Sequence, residues 1–380
     1  MRYQLLRPSP PLGPSSGGVY VHVPFCEQAC SYCAFSVVVG KEALIPDYLR
    51  ALRAEWVALR ETLTWTPSTL FIGGGTPSQI GSEGLSELLE IFSDESFEEI
   101  TVEVNPESLS GQLVSALRAA SVTRVSVGVQ SFDAEVLRSF RRAHDPETAR
   151  DALLCLREGG LENVSIDLIF GAVCESDASW KRTLMIAMDP EFAIQHVSCY
   201  ALTVEKRTRL HASVADHPHE DVLARRYRFA DDLLADHGFL DYEISNWARQ
   251  GYHSRHNVNY WRRRPYVGVG VAAHSFDGRR RWWNESSFHR YLRAIDEGRS
   301  PVVGSELLSA TEIRSEEIML GLRCSDGIPC DWVVIPDELQ SFVEIREGRY
   351  HLKAEAKILA DSVLAALLEK LDDDSKARSS

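Results

Sequence analysis

The sequence predicts an α/β fold in which six βα units build a parallel sheet, partly closed into a barrel. Two observations predict it. Short β-rich runs alternate with segments whose apolar residues recur at three-to-four spacing. Glycines and polar residues gather where those runs end. A chain of 380 residues with 44% hydrophobic content also has room for one large α/β core and a smaller domain.

The β-rich runs are 18–22, 70–73, 100–104, 125–129, 165–170 and 196–201. Between them, 48–62, 85–92, 112–120, 146–158 and 178–188 carry the helical period. Cys26 follows the first run, Gly73, Gly74, Gly75 and Thr76 the second, and Gln130 the fourth. Glu103 and Asn105 close the third run, and Asp167 lies in the fifth. A barrel-like sheet brings every carboxyl end to one rim, so these residues are expected to face one cavity. The glycine run lets backbone approach a ligand, and its amides and carbonyls are expected to clasp an amino acid moiety. A tight turn before a helix accounts for the same glycines.

Cys26, Cys30 and Cys33 follow a C-x3-C-x2-C spacing. Three thiolates so spaced suit three irons of a 4Fe-4S cubane and leave the fourth iron open to a ligand. The remaining cysteines, Cys155, Cys174, Cys199, Cys324 and Cys330, are too scattered for a disulfide framework and read as packing thiols. No stretch approaches the roughly 18 apolar residues of a membrane helix, and the first residues lack the apolar core of a secretory signal. A cytoplasmic chain that is not an integral membrane protein is expected. The net charge of −14 argues against nucleic acid as a partner, because phosphate affinity needs clustered cations.

Seven runs carry a resemblance: YVHVPFC at 20–26, GGGTP at 73–77, VEVNP at 102–106, SVGVQSF at 126–132, SIDLIFG at 165–171, YEISN at 242–246 and RHNVNYW at 255–261. The sequence resembles radical S-adenosylmethionine (SAM) proteins of the oxygen-independent coproporphyrinogen III oxidase-like group. The resemblance implies a partial (β/α)6 TIM-like radical SAM barrel with a 4Fe-4S cluster on the three cysteines and SAM on its open iron. By position, Tyr20, Tyr32, Gly74, Gly75, Thr76, Glu103, Gln130, Arg142, Asp167 and Ala201 match the SAM contacts of the group. Arg142 suits the methionine carboxylate, Glu103 the cationic end of SAM, Gln130 and Asp167 the ribose hydroxyls, and Tyr32 the adenine face.

Within the group, the porphyrinogen oxidases carry a fourth cysteine two residues after the third, where this chain has Phe35. With a triplet beginning at residue 26, this is similar to the HemW-type heme chaperones. The resemblance implies heme as a bound partner on His256, Asn257, Tyr260 and Trp261, with transfer to a heme-acceptor protein such as a membrane respiratory protein. His253 and His274 are alternative ligands, and the arginines of 262–264 and 279–281 are either propionate partners or solvated cations. The rival reading is an oxygen-independent coproporphyrinogen III dehydrogenase acting by oxidative decarboxylation; a third is a radical enzyme for another substrate. Whether the chain is an enzyme stays open, and no catalytic residue is assigned.

The expected organisation is a flexible segment 1–17, a radical SAM core 18–250, the heme motif and a connecting segment 251–304, a small helical or winged-helix-like domain 305–371 and a disordered tail 372–380. Two departures from the group stand out. The segment 171–175 reads GAVCE where relatives have Gly-Leu-Pro-Gly, and Arg141 replaces a glycine before Arg142.

Overall fold

A computed structural model describes residues 16–206, 208–213 and 219–379. Six parallel strands, β1 (Ser16–Val23), β2 (Thr66–Gly74), β3 (Glu99–Val104), β4 (Arg124–Gln130), β5 (Val164–Phe170) and β6 (His196–Ala201), lie side by side in chain order. The five helical segments of the sequence reading appear as α1 (Ile45–Arg60), α2 (Gly81–Glu90), α3 (Gly111–Ala119), α5 (Pro146–Glu158) and α6 (Asp177–Ala187), with a short α4 (Ala134–Ser139) added. Start signals are local: Ser110 and Asp145 accept from backbone amides of Leu113 and Thr148, three residues on.

The strands alternate apolar and polar residues although they are parallel. Val19, Val21, Ile72, Val102, Val127, Ile166 and Leu168 join helix residues such as Leu52, Leu88, Leu117, Leu153 and Leu184 in one buried core. Each such side chain contributes about 1.5–3 kcal/mol on burial. The intervening residues, among them Glu103, Ser126 and Asp167, line a cavity instead. A parallel sheet covered on both faces would show unbroken apolar runs; here one face encloses a polar lumen.

The barrel does not close. β6 pairs antiparallel with β8 (Asn246–Ala248), which pairs with β7 (Leu240–Glu243). On the other flank β1 pairs parallel with a seventh strand, β9 (Tyr266–Val269), and the sheet continues antiparallel through β10 (His274–Phe276), β11 (Arg280–Asn284) and β12 (Val302–Leu307). Between β6 and β7 runs α7 (Glu220–Asp236), and α8 (Arg255–Trp261) precedes β9. After α9 (Phe288–Asp296), the small C-terminal unit comprises α10 (Ala310–Arg323), a three-stranded sheet and α11 (Ala360–Ser379).

Three expectations on boundaries change. Residues 305–307 belong to the large sheet, because β12 pairs with β11, so the small unit begins after them. Ser16 and Gly17 are in β1, while the remainder of the expected flexible segment lies outside the described residues. The backbone of α11 runs on through 372–379, where disorder was expected: neither glycine nor proline interrupts 360–379, and Val363, Leu364 and Leu367 anchor its start. Among the described residues, no helix is long and apolar enough to cross a membrane.

Candidate functional site

A cavity of about 550 Å³ opens at the carboxyl ends of β2 to β6. Cys26, Cys30, Cys33, Tyr32, Gly74, Gly75, Thr76, Glu103, Gln130, Arg142, Asp167 and Ala201 all line it. The cysteine loop leaves β1 through a short parallel pairing of Phe25–Cys26 with Val38–Val39. All three thiols are free. Burial pushes the Cys26 thiol up to about 11, against a contact from the Thr76 hydroxyl at 3.6 Å. Burial likewise raises Cys33. Among the described residues no three His, Cys, Asp or Glu side chains converge on a single ion. Cubane ligands need not converge, since each cysteine holds a different iron.

The glycine run braces the cysteine loop. The amide of Gly75 donates to the Val23 carbonyl at 2.8 Å, that of Thr76 to the Phe25 carbonyl at 2.8 Å, and that of Gly74 to Glu103 at 3.2 Å. These donors hold the cysteine loop and Glu103 in place. Gly75 is needed for close approach, because a Cβ there would sit 2.8 Å from the Pro24 backbone.

Arg142 is the cation of the cavity. It donates to Cys30 Sγ at 3.4 Å, to Asn105 Oδ1 at 2.7 Å and to the Gly128 carbonyl at 2.8 Å. Its Nε is buried with no partner among the described residues, a donor that a ligand carboxylate would satisfy. Burial opposes its charge, but Tyr32, Cys30 and Glu107 raise its pKa. The preceding Arg141 takes the left-handed backbone, φ 57°, a conformation that favours glycine.

Across the cavity stand two buried carboxyls. Burial, then the neighbouring Asp167, pushes Glu103 up to about 8. Asp167 is itself raised by burial, although Ser126 Oγ donates to it at 3.2 Å. Such a pair favours a cationic ligand or one rich in hydroxyl donors. Gln130 reaches the rim at φ 65°, a backbone state that L side chains rarely take outside functional sites. Tyr200 also lines the cavity, a residue the sequence reading passed over; its place beside Ala201 at the end of β6 was the available signal. At the GAVCE departure, the Gly171 amide donates to Glu175 at 2.7 Å and Arg226 pairs with that carboxylate at 2.8 Å, so the turn is closed by a buried ion pair.

Tyr20 lies elsewhere. With His22, Tyr260, Tyr266, Phe276 and His274 it lines a second cavity of about 420 Å³, on the flank where the sheet turns antiparallel. Tyr20 donates to His22 Nδ1 at 3.0 Å, and His22 Nε2 donates to the Ser36 carbonyl at 2.8 Å.

The motif helix α8 is pinned near the amino ends of the strands. Glu99 accepts from the amides of Arg255 and His256 at 2.9 and 3.0 Å, a carboxylate at the positive end of the helix. His256 is fully buried, stacked on Phe71 at 5.1 Å. Asn259 donates to Thr69 Oγ1 at 3.2 Å, and both ring nitrogens of His256 are in hydrogen bonds, Nδ1 with the Thr69 hydroxyl at 2.8 Å and Nε2 with the Tyr260 hydroxyl at 2.8 Å. Burial, then the Arg124 charge, lowers its pKa to about 3. Its one free lone pair is thus occupied inside the protein, and the expected role as an open heme ligand is not available in this conformation. Of the four motif residues, Tyr260 lines the second cavity, and His256, Asn257 and Trp261 line neither of the two described. Asn257 bonds to Tyr242, and Trp261 lies under the Arg323 guanidinium at 5.4 Å. His253, the other nearby alternative, packs edge-on against Tyr242 at 4.9 Å.

Residues 20–185 match the Radical SAM superfamily. The heme chaperone HemW of Mycobacterium tuberculosis is 36% identical over 94% of this chain and 97% of its own length. That of Bacillus subtilis is 30% identical over 93% and 99%. Among solved structures, the radical SAM enzyme coproporphyrinogen III oxidase (HemN) from Escherichia coli superposes with a TM-score of 0.79 at 22% identity, covering 93% of this chain and 90% of that one. This likeness establishes the shared fold alone. By full-length identity, this chain belongs to the HemW heme chaperone family of radical SAM proteins.

Proposed function

We propose that this chain is a cytoplasmic heme carrier that holds a 4Fe-4S cluster and SAM in the first cavity and passes heme to an acceptor protein, a membrane respiratory protein being the expected recipient. The observation that carries the reading is the gathering of three free thiols, a buried guanidinium with an unpartnered Nε and two buried carboxyls around one cavity. Heme as cargo rests on the relatives, which are named heme chaperones.

Cys26, Cys30 and Cys33 would hold the cluster. Once reduced by an external donor, a cluster there would be able to supply an electron to the SAM sulfonium. The chain's own residues set the ligand in place. Arg142 offers its Nε to the methionine carboxylate, Glu103 and Asp167 offset the positive charge, and Tyr32 covers the adenine. Phe35 stands at the cavity mouth, 67% exposed, where the porphyrinogen oxidases place a fourth cysteine.

The test is anaerobic reconstitution followed by two assays. Hemin titration should give a saturable Soret band, and incubation with reductant, SAM and coproporphyrinogen should give no protoporphyrinogen. Formation of protoporphyrinogen without a defined Soret band would establish the decarboxylase reading instead.

A further inference from the structure

The second cavity has the chemistry of a flat, apolar ligand with carboxylate arms. Its size lies within the roughly 300–1,000 Å³ of small-molecule and cofactor sites. Tyr20, Tyr260, Tyr266 and Phe276 supply aromatic walls, with Tyr260 edge-on to Tyr266 at 4.7 Å. Two guanidiniums stand over the Phe276 ring, Arg263 at 5.0 Å and Arg281 at 5.4 Å, and both also line the cavity. One carboxylate, Glu316, serves both, accepting from Arg263 Nε at 3.0 Å and from Arg281 at 2.6 Å. Glu306 reaches Arg281 only at 3.4 Å from a half-exposed position, where solvent screens it. The Arg263 side chain is 10% exposed, and its Nη2 is buried with no partner among the described residues.

Two imidazoles line this cavity, and they differ. His22 has both nitrogens in hydrogen bonds. His274 is exposed and stacked on Trp283 at 5.9 Å, with no hydrogen bond to its ring nitrogens among the described residues.

We propose that heme sits in this second cavity, with His274 as the protein ligand to iron, Arg263 and Arg281 facing the propionates, and His256 as a positioning residue that holds the Tyr260 wall. The placement rests on the carrier reading. His256 acts through Tyr260: its Nε2 is hydrogen-bonded at 2.8 Å to the tyrosine hydroxyl one helical turn on, which fixes the ring against the cavity. No covalent step is involved; the iron–imidazole bond forms from the neutral lone pair of His274.

The test is hemin titration of the full-length protein, the wild type beside His274→Ala and His256→Ala, with circular dichroism to confirm folding. His274→Ala should lose the imidazole-ligated Soret band and at least about tenfold in affinity, with free imidazole restoring the band. His256→Ala should bind more weakly but keep the position of the band. In the wild type, heme dimethyl ester should bind at least about fivefold more weakly than hemin, and Arg281→Gln should remove that difference. If the wild type gives no saturable band, the carrier reading fails and the placement with it. If the wild type binds and His274→Ala titrates like it, or His256→Ala alone loses the ligated band, the carrier reading stands and the placement is overturned. The exposed position of His274 keeps its variant foldable; the ester comparison decides independently, since equal binding of ester and hemin also overturns the placement.

Discussion

A carboxyl that keeps its proton up to about pH 8 changes what a cationic ligand must do on arrival. Burial and the adjacent Asp167 raise Glu103 from 4.5, so between those values the unfolded chain ionises it and the folded chain does not. Folding stability from this group therefore falls as pH rises from 4.5 toward about 8. Ligand binding has the opposite sign, because a sulfonium or ammonium group favours the carboxylate and must expel the proton below pH 8. SAM affinity of the reconstituted protein, followed by calorimetry, should rise up to about tenfold per unit between roughly pH 6 and 8 and then level. Glu103→Gln should flatten that rise and weaken binding at pH 9 by about tenfold. A rise that survives in the glutamine variant would assign the titration to another group.

At the scale of elements, the glycine run is a strut for the cysteine loop. Gly75→Ala would drive a Cβ to 2.8 Å from the Pro24 carbonyl carbon and oxygen, backbone that the Gly75 and Thr76 amides already fix. It should cost about 1–3 kcal/mol in thermal unfolding and lower the iron retained after reconstitution. Gly111→Ala, where a Cβ meets nothing, is the control and should leave both unchanged. The same elements show what sequence could reveal. All six strands of the lumen were legible because each sets β-branched or aromatic residues between helical segments, as 165–170 does with Ile166, Ile169 and Phe170 around Asp167. The outer strands were not: Asn246–Ala248 and His274–Phe276 have three residues each, too few for a period to show. In the site, the residues expected at strand ends do line one cavity, whereas Tyr20 lines the second, because alternation fixes a face and not a depth. His256 looked available because its partners, Thr69 and Glu99, are more than 150 positions away in the chain. A buried histidine and an open one read alike until those contacts exist.

On the scale of the whole molecule, the unclosed barrel places one cavity at the carboxyl ends of the strands and another beside its open flank, and the C-terminal unit completes the second. Leu320 reaches it from α10, and Glu316 of the same helix pairs with its Arg263 and Arg281, while Arg281 comes from β11 and Tyr20 from β1. Glu316 therefore has two roles that oppose each other. It ties the small unit to the large sheet through Arg263 and Arg281, and it occupies the guanidiniums that heme carboxylates would use. Glu316→Gln should cost about 1–3 kcal/mol of stability, since two arginines lose a mostly buried partner. The same change should tighten hemin binding several-fold, because the competitor for the propionates loses its charge. Thermal unfolding with and without hemin separates the effects: the variant should melt lower than wild type alone and show the larger upward shift when hemin is added. A folded Glu316→Gln protein that binds hemin more weakly would mean that the arginine pair belongs to the interface between the two units and faces no ligand.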